Sequence, residues 1–306
     1  MSATDAGAAD ATTETWHGVL VANPVILDSE LGVDFDRYAD HIAWLAAAGC
    51  DGITPNGSLG EYQALTREER ERAVTVAIET APAGFAVIPA VSAYGAAEAV
   101  RWTAQAADAG ADAVMALPPN SYRSDERSVV GHFQAVAGVG LPIIAYNNPI
   151  DTKVDLTPEL LARLYGEGLI VAVKEFAGDP RRAYAIRELA PGLDILIGSD
   201  DTVLEVALAG GTGWVSGYTS AFPHSCIELY RASVAGDLEV ALPLYRTLHA
   251  LLRWDSRTEF VQAIKLSMDI VGRGGGGCRP PRVPLSAEQE AEVRRLTEQA
   301  IAAGMT

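Results

Sequence analysis

Lysine is nearly missing from this chain: Lys153, Lys174 and Lys265 are the only lysines among 23 basic residues in a sequence of 306. Cysteine is as sparse. Cys50, Cys226 and Cys278 stand too far apart to pair as metal ligands, and so odd and scattered a set fits a reducing cytoplasm rather than a disulfide scaffold. Cys50 ends a predicted helix and is expected to pack, whereas Cys278, in a glycine-rich loop, is expected to present an exposed thiol. Positive charge is outweighed. With 40 acidic residues the net charge is −17, which repels nucleic-acid phosphates and anionic membrane surfaces and leaves small molecules as the expected partners.

No stretch reaches the roughly 18 uninterrupted apolar residues of a membrane span. The opening segment, MSATDAGAADATTET, has neither the basic start nor the apolar core of a signal peptide, and it predicts a disordered tail on a cytoplasmic protein. No GxGxxG turn follows an early strand pattern, so the usual dinucleotide site is absent. His17, His41, His132, His224 and His249 show no spacing suited to zinc, and no metal site is expected. Of the five, His224 follows a strand pattern closely enough to border a site there.

What is present is an alternation of short apolar runs and helical patterns. The runs are GVLVANPVI from Gly18, DGITPNG from Asp51, FAVIPAV from Phe85, AVMALPP from Ala113, PIIAYNNP from Pro142, LIVAVKEF from Leu169, DILIGSD from Asp194 and GTGWVSGY from Gly211. Between them lie amphipathic segments with start signals: the capping box Thr66-x-x-Glu69, and the pairs Thr157-Pro158 and Asp179-Pro180. Eight such units predict a parallel sheet closed as a (βα)8 TIM barrel, with a doubly wound open sheet as the other arrangement. After Tyr218 the pattern is helical only, over about Pro223–Ala235, Leu238–Trp254, Thr258–Val271 and Ser286–Ala302. The expected organisation is a tail over 1–15, a barrel core over 16–222, and C-terminal helices over 223–306 that include the last barrel helix.

In a barrel, reactive groups gather where strands end. The second strand delivers Asn56-Gly57-Ser58-Leu59-Gly60-Glu61, the fifth Tyr146-Asn147-Asn148, the sixth Lys174, the seventh Gly198-Ser199-Asp200-Asp201 and the eighth Ser216-Gly217-Tyr218. Lys174 is the one lysine inside an apolar strand pattern. Desolvation there disfavours the ammonium and leaves a nucleophilic amine, unless the side chain snorkels out or pairs with a carboxylate. Tyr146, on the neighbouring strand, is either a proton carrier for that amine or an ordinary core tyrosine. The glycines of Gly57-Ser58-Leu59-Gly60 suit a carboxylate held by backbone N–H groups, and they suit a plain strand-to-helix connection equally.

These motifs together resemble the dihydrodipicolinate synthase and N-acetylneuraminate lyase superfamily from about Gly18 to about Leu296: NGSLGE, YNNP, VKEFAGD, IGSDD, GWVSG and RPPRVPL, in that order. The resemblance implies that Lys174 forms an imine with a 2-oxo acid such as pyruvate and that Tyr146 is the acid/base. It implies that Ser58 supplies a relay hydroxyl and that the amides at Ser58 and Leu59 hold the substrate carboxylate, with Gly198 and Val215 lining the pocket. Members need no external cofactor and are commonly tetramers built as pairs of dimers, so a homotetramer or homodimer is expected.

Two departures bear on the reaction. Where the synthases carry an arginine after the tyrosine motif this chain has Asp151, and where they carry a tyrosine pair after the fourth strand it has Leu117-Pro118-Pro119-Asn120-Ser121-Tyr122. A carboxylate at Asp151 repels an acidic second substrate. The reading is therefore a Schiff-base lyase (aldolase, dehydratase or deaminase) on a 2-oxo acid derived from a sugar acid or hydroxyproline. The alternatives are the lysine-biosynthetic synthase itself and a barrel that binds a 2-oxo acid without turning it over. Asp151, Lys153, Asn120 and Asp201 are the candidate specificity residues.

Overall fold

Each apolar run contributes a short strand, in order β1 (Gly18–Val21), β2 (Gly52–Ile53), β3 (Ala86–Val87), β4 (Val114–Ala116), β5 (Ile143–Asn147), β6 (Ala172–Glu175), β7 (Asp194–Ile197) and β8 (Gly213–Ser216). The structure, a computed structural model, describes residues 14–119 and 124–306. The predicted tail lies almost wholly outside the described residues, as do Asn120 and Tyr122. Every pairing is parallel, in the order β3-β2-β1-β8-β7-β6-β5-β4. A single bridge between Ala90 and Met115 joins the outer strands, with Val91 N–H donating to Met115 O at 2.9 Å and Met115 N–H to Pro89 O at 3.0 Å. The sheet is thus rolled into the TIM barrel, ringed by helices.

The strands are shorter than the runs that announce them, for reasons visible at the helix exits. Gly168 adopts φ +72° after the helix Pro158–Gly166, and Leu169 N–H turns back to Leu164 O at 2.9 Å. Leu169 and Ile170 therefore belong to the exit, and ladder pairing begins at Ala172. The start signals hold at Thr66-Glu69, where both bonds of the capping box form, and at Thr157, whose hydroxyl accepts Leu160 N–H; a second complete capping box, Ser286-Gln289, opens the last helix. Asp179-Pro180 behaves differently from Thr157-Pro158: its helix starts at Arg181, and Asp179 accepts Arg181 N–H at 3.1 Å from outside it.

Alternate residues along each strand face opposite sides. Leu20, Ile144, Tyr146, Ala172, Leu196 and Val215 share the core inside the barrel, while Val19, Ala145, Val173, Ile195 and Trp214 pack outward against helices. Beyond β8 come four helices, Pro223–Val234, Leu238–Leu252, Phe260–Ile270 and Ala287–Ala302, each within two residues of its predicted bounds. No helix among the described residues is long and apolar enough to cross a membrane.

The glycine-rich loop after Ile270 is packed down rather than loose. A Cβ at Gly275 would run into the backbone of Lys265, and Arg279 grips Glu69 with two bonds of 2.6 Å. Cys278, expected to be exposed, is half-buried in this packing, and burial pushes its thiol up to about 11. Lys265 is also buried, its Nζ 2.6 Å from Glu61 Oε1 and 2.7 Å from Gly277 O. This ion pair ties the turn after β2 to the C-terminal helices.

Replacing one member of a buried pair strands the other, at a typical cost of about 3–5 kcal/mol. Lys265→Met should therefore lower the thermal midpoint by several degrees, and adding Glu61→Gln should recover much of the loss. A double variant as unstable as the single one would show that the pair's worth lies elsewhere.

Candidate active site

Register decides which side chains meet inside the barrel. Tyr146 and Lys174 are direct partners in the β5–β6 ladder, and both point inward. Lys174 is 6% exposed. Its Nζ lies 4.5 Å from the centre of the Tyr146 ring and 6.0 Å from that of Phe176, which meets Tyr146 edge to face. No carboxylate among the described residues forms an ion pair with it. Burial lowers the amine's pKa, opposed at longer range by Asp255 and Asp200.

The next residue, Glu175, faces outward and fixes the strand end. Its carboxylate accepts Asn147 Nδ2 at 3.0 Å, Ala177 N–H at 2.7 Å and Arg182 Nε at 3.1 Å. The Tyr146 hydroxyl is held from just beyond its own strand, accepting Asn148 Nδ2 at 3.3 Å, and burial pushes its pKa upward. Asn148 Nδ2 also donates to Asp151 Oδ2 at 2.8 Å. Asp151, in the first turn of the short helix Pro149–Thr152, thus orients the amide that touches the phenol.

These groups open into a cavity of about 360 Å³ at the carboxyl ends of the strands, near the small end of ligand sites. Gly57, Ser58 and Leu59 line it from the turn after β2, and Val215 lines it from β8. That turn is unusually shaped. Asn56 and Glu61 have φ +59° and +50°, and a Cβ on Gly60 would press against Asn23 O and Asn56 N at 3.2 Å. The Ser58 side chain is half-buried in the cavity wall, while the hydrogen bond described for Tyr146 is to Asn148.

Other candidates fall elsewhere. Gly198 is not part of the lining; its N–H donates to Glu175 O at 3.0 Å, and a Cβ there would collide with the Glu175 backbone, so β6 and β7 close up because this residue is glycine. His224, which follows β8 closely enough to have bordered the site, is exposed on the outer face of the helix Pro223–Val234 beside Ala48 and Arg231, because the helix turns that side away from the barrel. Lys153 is exposed, adopts φ +59° and folds its amine back onto Ile150 O. Asp201 is half-buried and accepts Ser256 Oγ at 3.1 Å.

Two carboxylates that strand-end reading did not single out lie close to the lysine electrostatically. Asp200, fully buried, accepts Trp214 Nε1 at 3.0 Å, Ser216 Oγ at 3.2 Å and the N–H groups of Gly217 and Tyr218 at 3.1 and 2.9 Å. Burial nonetheless pushes it up to about 6. Asp255 reaches the cavity wall from the connection after the helix Leu238–Leu252 and accepts Asp200 N–H at 3.4 Å. Burial, reinforced by Asp200, pushes its carboxyl well up. A lone Asp in Trp-Asp-Ser-Arg-Thr carries no signal in sequence; folding alone brings it here.

Comparison with known proteins agrees with this arrangement. A profile of the Dihydrodipicolinate synthetase family matches residues 15–300. A 4-hydroxy-tetrahydrodipicolinate synthase of Methanospirillum hungatei is 32% identical over 268 residues, covering 87% of this chain and 91% of that protein. One from Anaeromyxobacter dehalogenans is 33% identical over 269 residues, covering 86% and 90%. Among solved structures, a putative dihydrodipicolinate synthetase from Pseudomonas aeruginosa superposes with a TM-score of 0.88 at 30% identity over 92% of this chain and 99% of its own. A prophage protein of the same family from E. coli, solved in complex with pyruvate, superposes at 0.86 with 27% identity over 93% and 98%. With its barrel, its strand-end lysine and tyrosine, and a match over nearly its whole length, the chain belongs to the dihydrodipicolinate synthetase family of lyases.

Proposed function

We propose that this protein is a Schiff-base-dependent lyase of 2-oxo acids, with Lys174 as the imine-forming residue. The observation that carries the reading is the state of Lys174: an amine inside the barrel, beside a phenol and unpaired with any carboxylate among the described residues. Burial favours the neutral amine, whose lone pair adds to the 2-oxo carbon. The carbonyl oxygen takes up protons and leaves as water, and the resulting protonated imine draws electrons from the neighbouring bond. That breaks an aldol carbon–carbon bond or expels water or ammonia.

Tyr146 gives and takes the protons, with Ser58 as the relay hydroxyl. The amides of Ser58 and Leu59 hold the substrate carboxylate, Gly57 lets the backbone approach it, and Val215 offers its carbonyl. Gly198 supports the floor between β6 and β7. Asp151 and Asn120 bear on specificity. No external cofactor takes part, and the protein works in the cytoplasm as a homotetramer or homodimer. The pyruvate bound by the E. coli relative supports a 2-oxo acid as substrate.

The names of the relatives favour a second reading, 4-hydroxy-tetrahydrodipicolinate synthase. Asp151 weighs against it, because its carboxylate lines the cavity where an acidic second substrate would approach.

Borohydride reduction with pyruvate should leave a covalent adduct on Lys174, seen by intact mass and peptide mapping and lost in Lys174→Ala. An unmodified protein with pyruvate and with longer 2-oxo acids, despite measurable binding, would favour the barrel that only binds. The rate of trapping should rise with pH through a midpoint below that of a free lysine, since the lowered pKa frees the lone pair earlier. A midpoint at the free-lysine value would contradict burial as the activating influence. Tyr146→Phe should slow turnover by about 10²–10⁴-fold, the usual worth of a positioned acid/base; a loss below tenfold would remove Tyr146 from that role.

A further inference from the structure

Part of the exposed wall of the cavity comes from the C-terminal region, and that part carries two arginines in a chain that is otherwise acidic. Arg257, from the connection before the helix Phe260–Ile270, and Arg282, from the loop that follows it, both line the cavity that holds Lys174. Most arginines that pair in this structure are tightly engaged: Arg163, Arg181, Arg182 and Arg279 all meet carboxylate oxygens at 2.9 Å or less. The two in the cavity wall are not. Arg282 has no ion pair among the described residues, and Arg257 comes only within 3.7 Å of Glu292.

Both guanidinium groups are instead laid over aromatic rings, Arg257 4.0 Å above the centre of Trp254 and Arg282 5.1 Å above that of Phe260. Stacking holds the plane of a guanidinium while leaving its N–H edges free, and those edges match a carboxylate in a two-bonded fork. Arg279 shows the contrast three residues away, its fork filled by Glu69. The loop geometry that supports Arg282 is fixed, since its N–H donates to Arg279 O at 3.1 Å.

Two acids line the same cavity and oppose an anion near them. Asp151 is engaged by Asn148 Nδ2 at 2.8 Å, and the Asp255 carboxyl is pushed towards its neutral form by burial. The amide does not neutralise Asp151, so a terminal carboxylate is favoured at the arginines of the C-terminal region and disfavoured beside the helix Pro149–Thr152.

We propose that Arg257 and Arg282 form an anion subsite that selects 2-oxo acids carrying a second carboxylate at the far end from the 2-oxo group. This rests on the reading of Lys174 as the imine-forming residue, which sets the end of the substrate held at the strand ends. The substrate then spans the cavity from the amine to the arginines, and a monocarboxylate of equal length forgoes the outer contact.

The test compares two six-carbon acids, 2-oxoadipate and 2-oxohexanoate, which differ in the terminal carboxylate. In borohydride trapping the native chain should half-saturate at about tenfold lower 2-oxoadipate than 2-oxohexanoate, the scale of a charge-assisted contact near solvent. Arg257→Gln/Arg282→Gln should bring that ratio close to one, and because both acids are measured on the same variant, a folding defect does not mimic the result. A native ratio near one, or a ratio that survives both substitutions, overturns the subsite. A second arm needs no imine: glutarate titrated calorimetrically into Lys174→Ala should bind, and adding Arg282→Gln should weaken it about tenfold. Failure of every 2-oxo acid to be trapped while glutarate binding still depends on Arg282 would overturn the imine and retain the subsite; glutarate binding indifferent to Arg282 would overturn the subsite.

Discussion

The structure depends on keeping an amine out of water. A parallel ladder offers few positions where a lysine can point into the interior without reaching solvent, and Lys174 takes one of them, inward on β6 with Tyr146 as its ladder partner. A slip of one residue would exchange the two faces, sending Lys174 out among the helices and Glu175 into the barrel. Glu175 guards against that slip: its outward carboxylate accepts Asn147 Nδ2 from its ladder partner on β5, a bond that a change of register breaks. The acid next to the lysine is what fixes the direction of the lysine.

The barrel alone does not complete the site. The turn after β2 holds two non-glycine residues in the left-handed region, a conformation that costs of order 1–3 kcal/mol per residue unless its surroundings enforce it. For Glu61 the enforcement comes from Lys265 Nζ and the Arg279 N–H, both in the C-terminal region. For Asn56 it comes from the side-chain amide, which donates to Arg70 O at 2.9 Å. The region after β8 therefore shapes the turn that lines the cavity, and the connections between its helices also supply Asp255, Arg257 and Arg282 to the wall. Substitutions in the glycine-rich loop should reach the site through this route.

Much of this was legible in the sequence, and the legible part has a common physics. Strand order, the helix starts at Thr66, Thr157 and Ser286, and the inward pairing of Lys174 with Tyr146 follow from periodicity and capping, which act over a few residues. What escaped depends on distant pairing. Lys265 reads as an ordinary helical lysine until Glu61 is brought 2.6 Å away from 204 positions earlier. Asn148 looks like a helix cap, and it is one, yet the same side chain reaches Tyr146 and Asp151. Position after a strand does not by itself bring a residue to the cavity: Gly198 is consumed by close strand packing, and His224 is rotated to the outside by its helix.

The two acids near Lys174, Asp200 and Asp255, raise the question of why they do not hold it charged. Opposite charges 4 Å apart attract by roughly 4 kcal/mol at an effective dielectric of 20, equivalent to about three pKa units, enough to cancel a large desolvation shift. Asp200 is diverted: its two oxygens serve four donors, so its charge is already spread over Trp214, Ser216, Gly217 and Tyr218. Asp255 is weakened in another way, because the burial that disfavours the ammonium also disfavours its carboxylate. An ammonium facing a carboxylate and an amine facing a carboxylic acid carry the same number of protons. A water-poor cavity favours the second arrangement, since it contains no charge to desolvate. Expulsion of water by an uncharged part of a ligand deepens that preference, whereas an anionic group brought beside Nζ opposes it, as Asp255 and Asp200 already do.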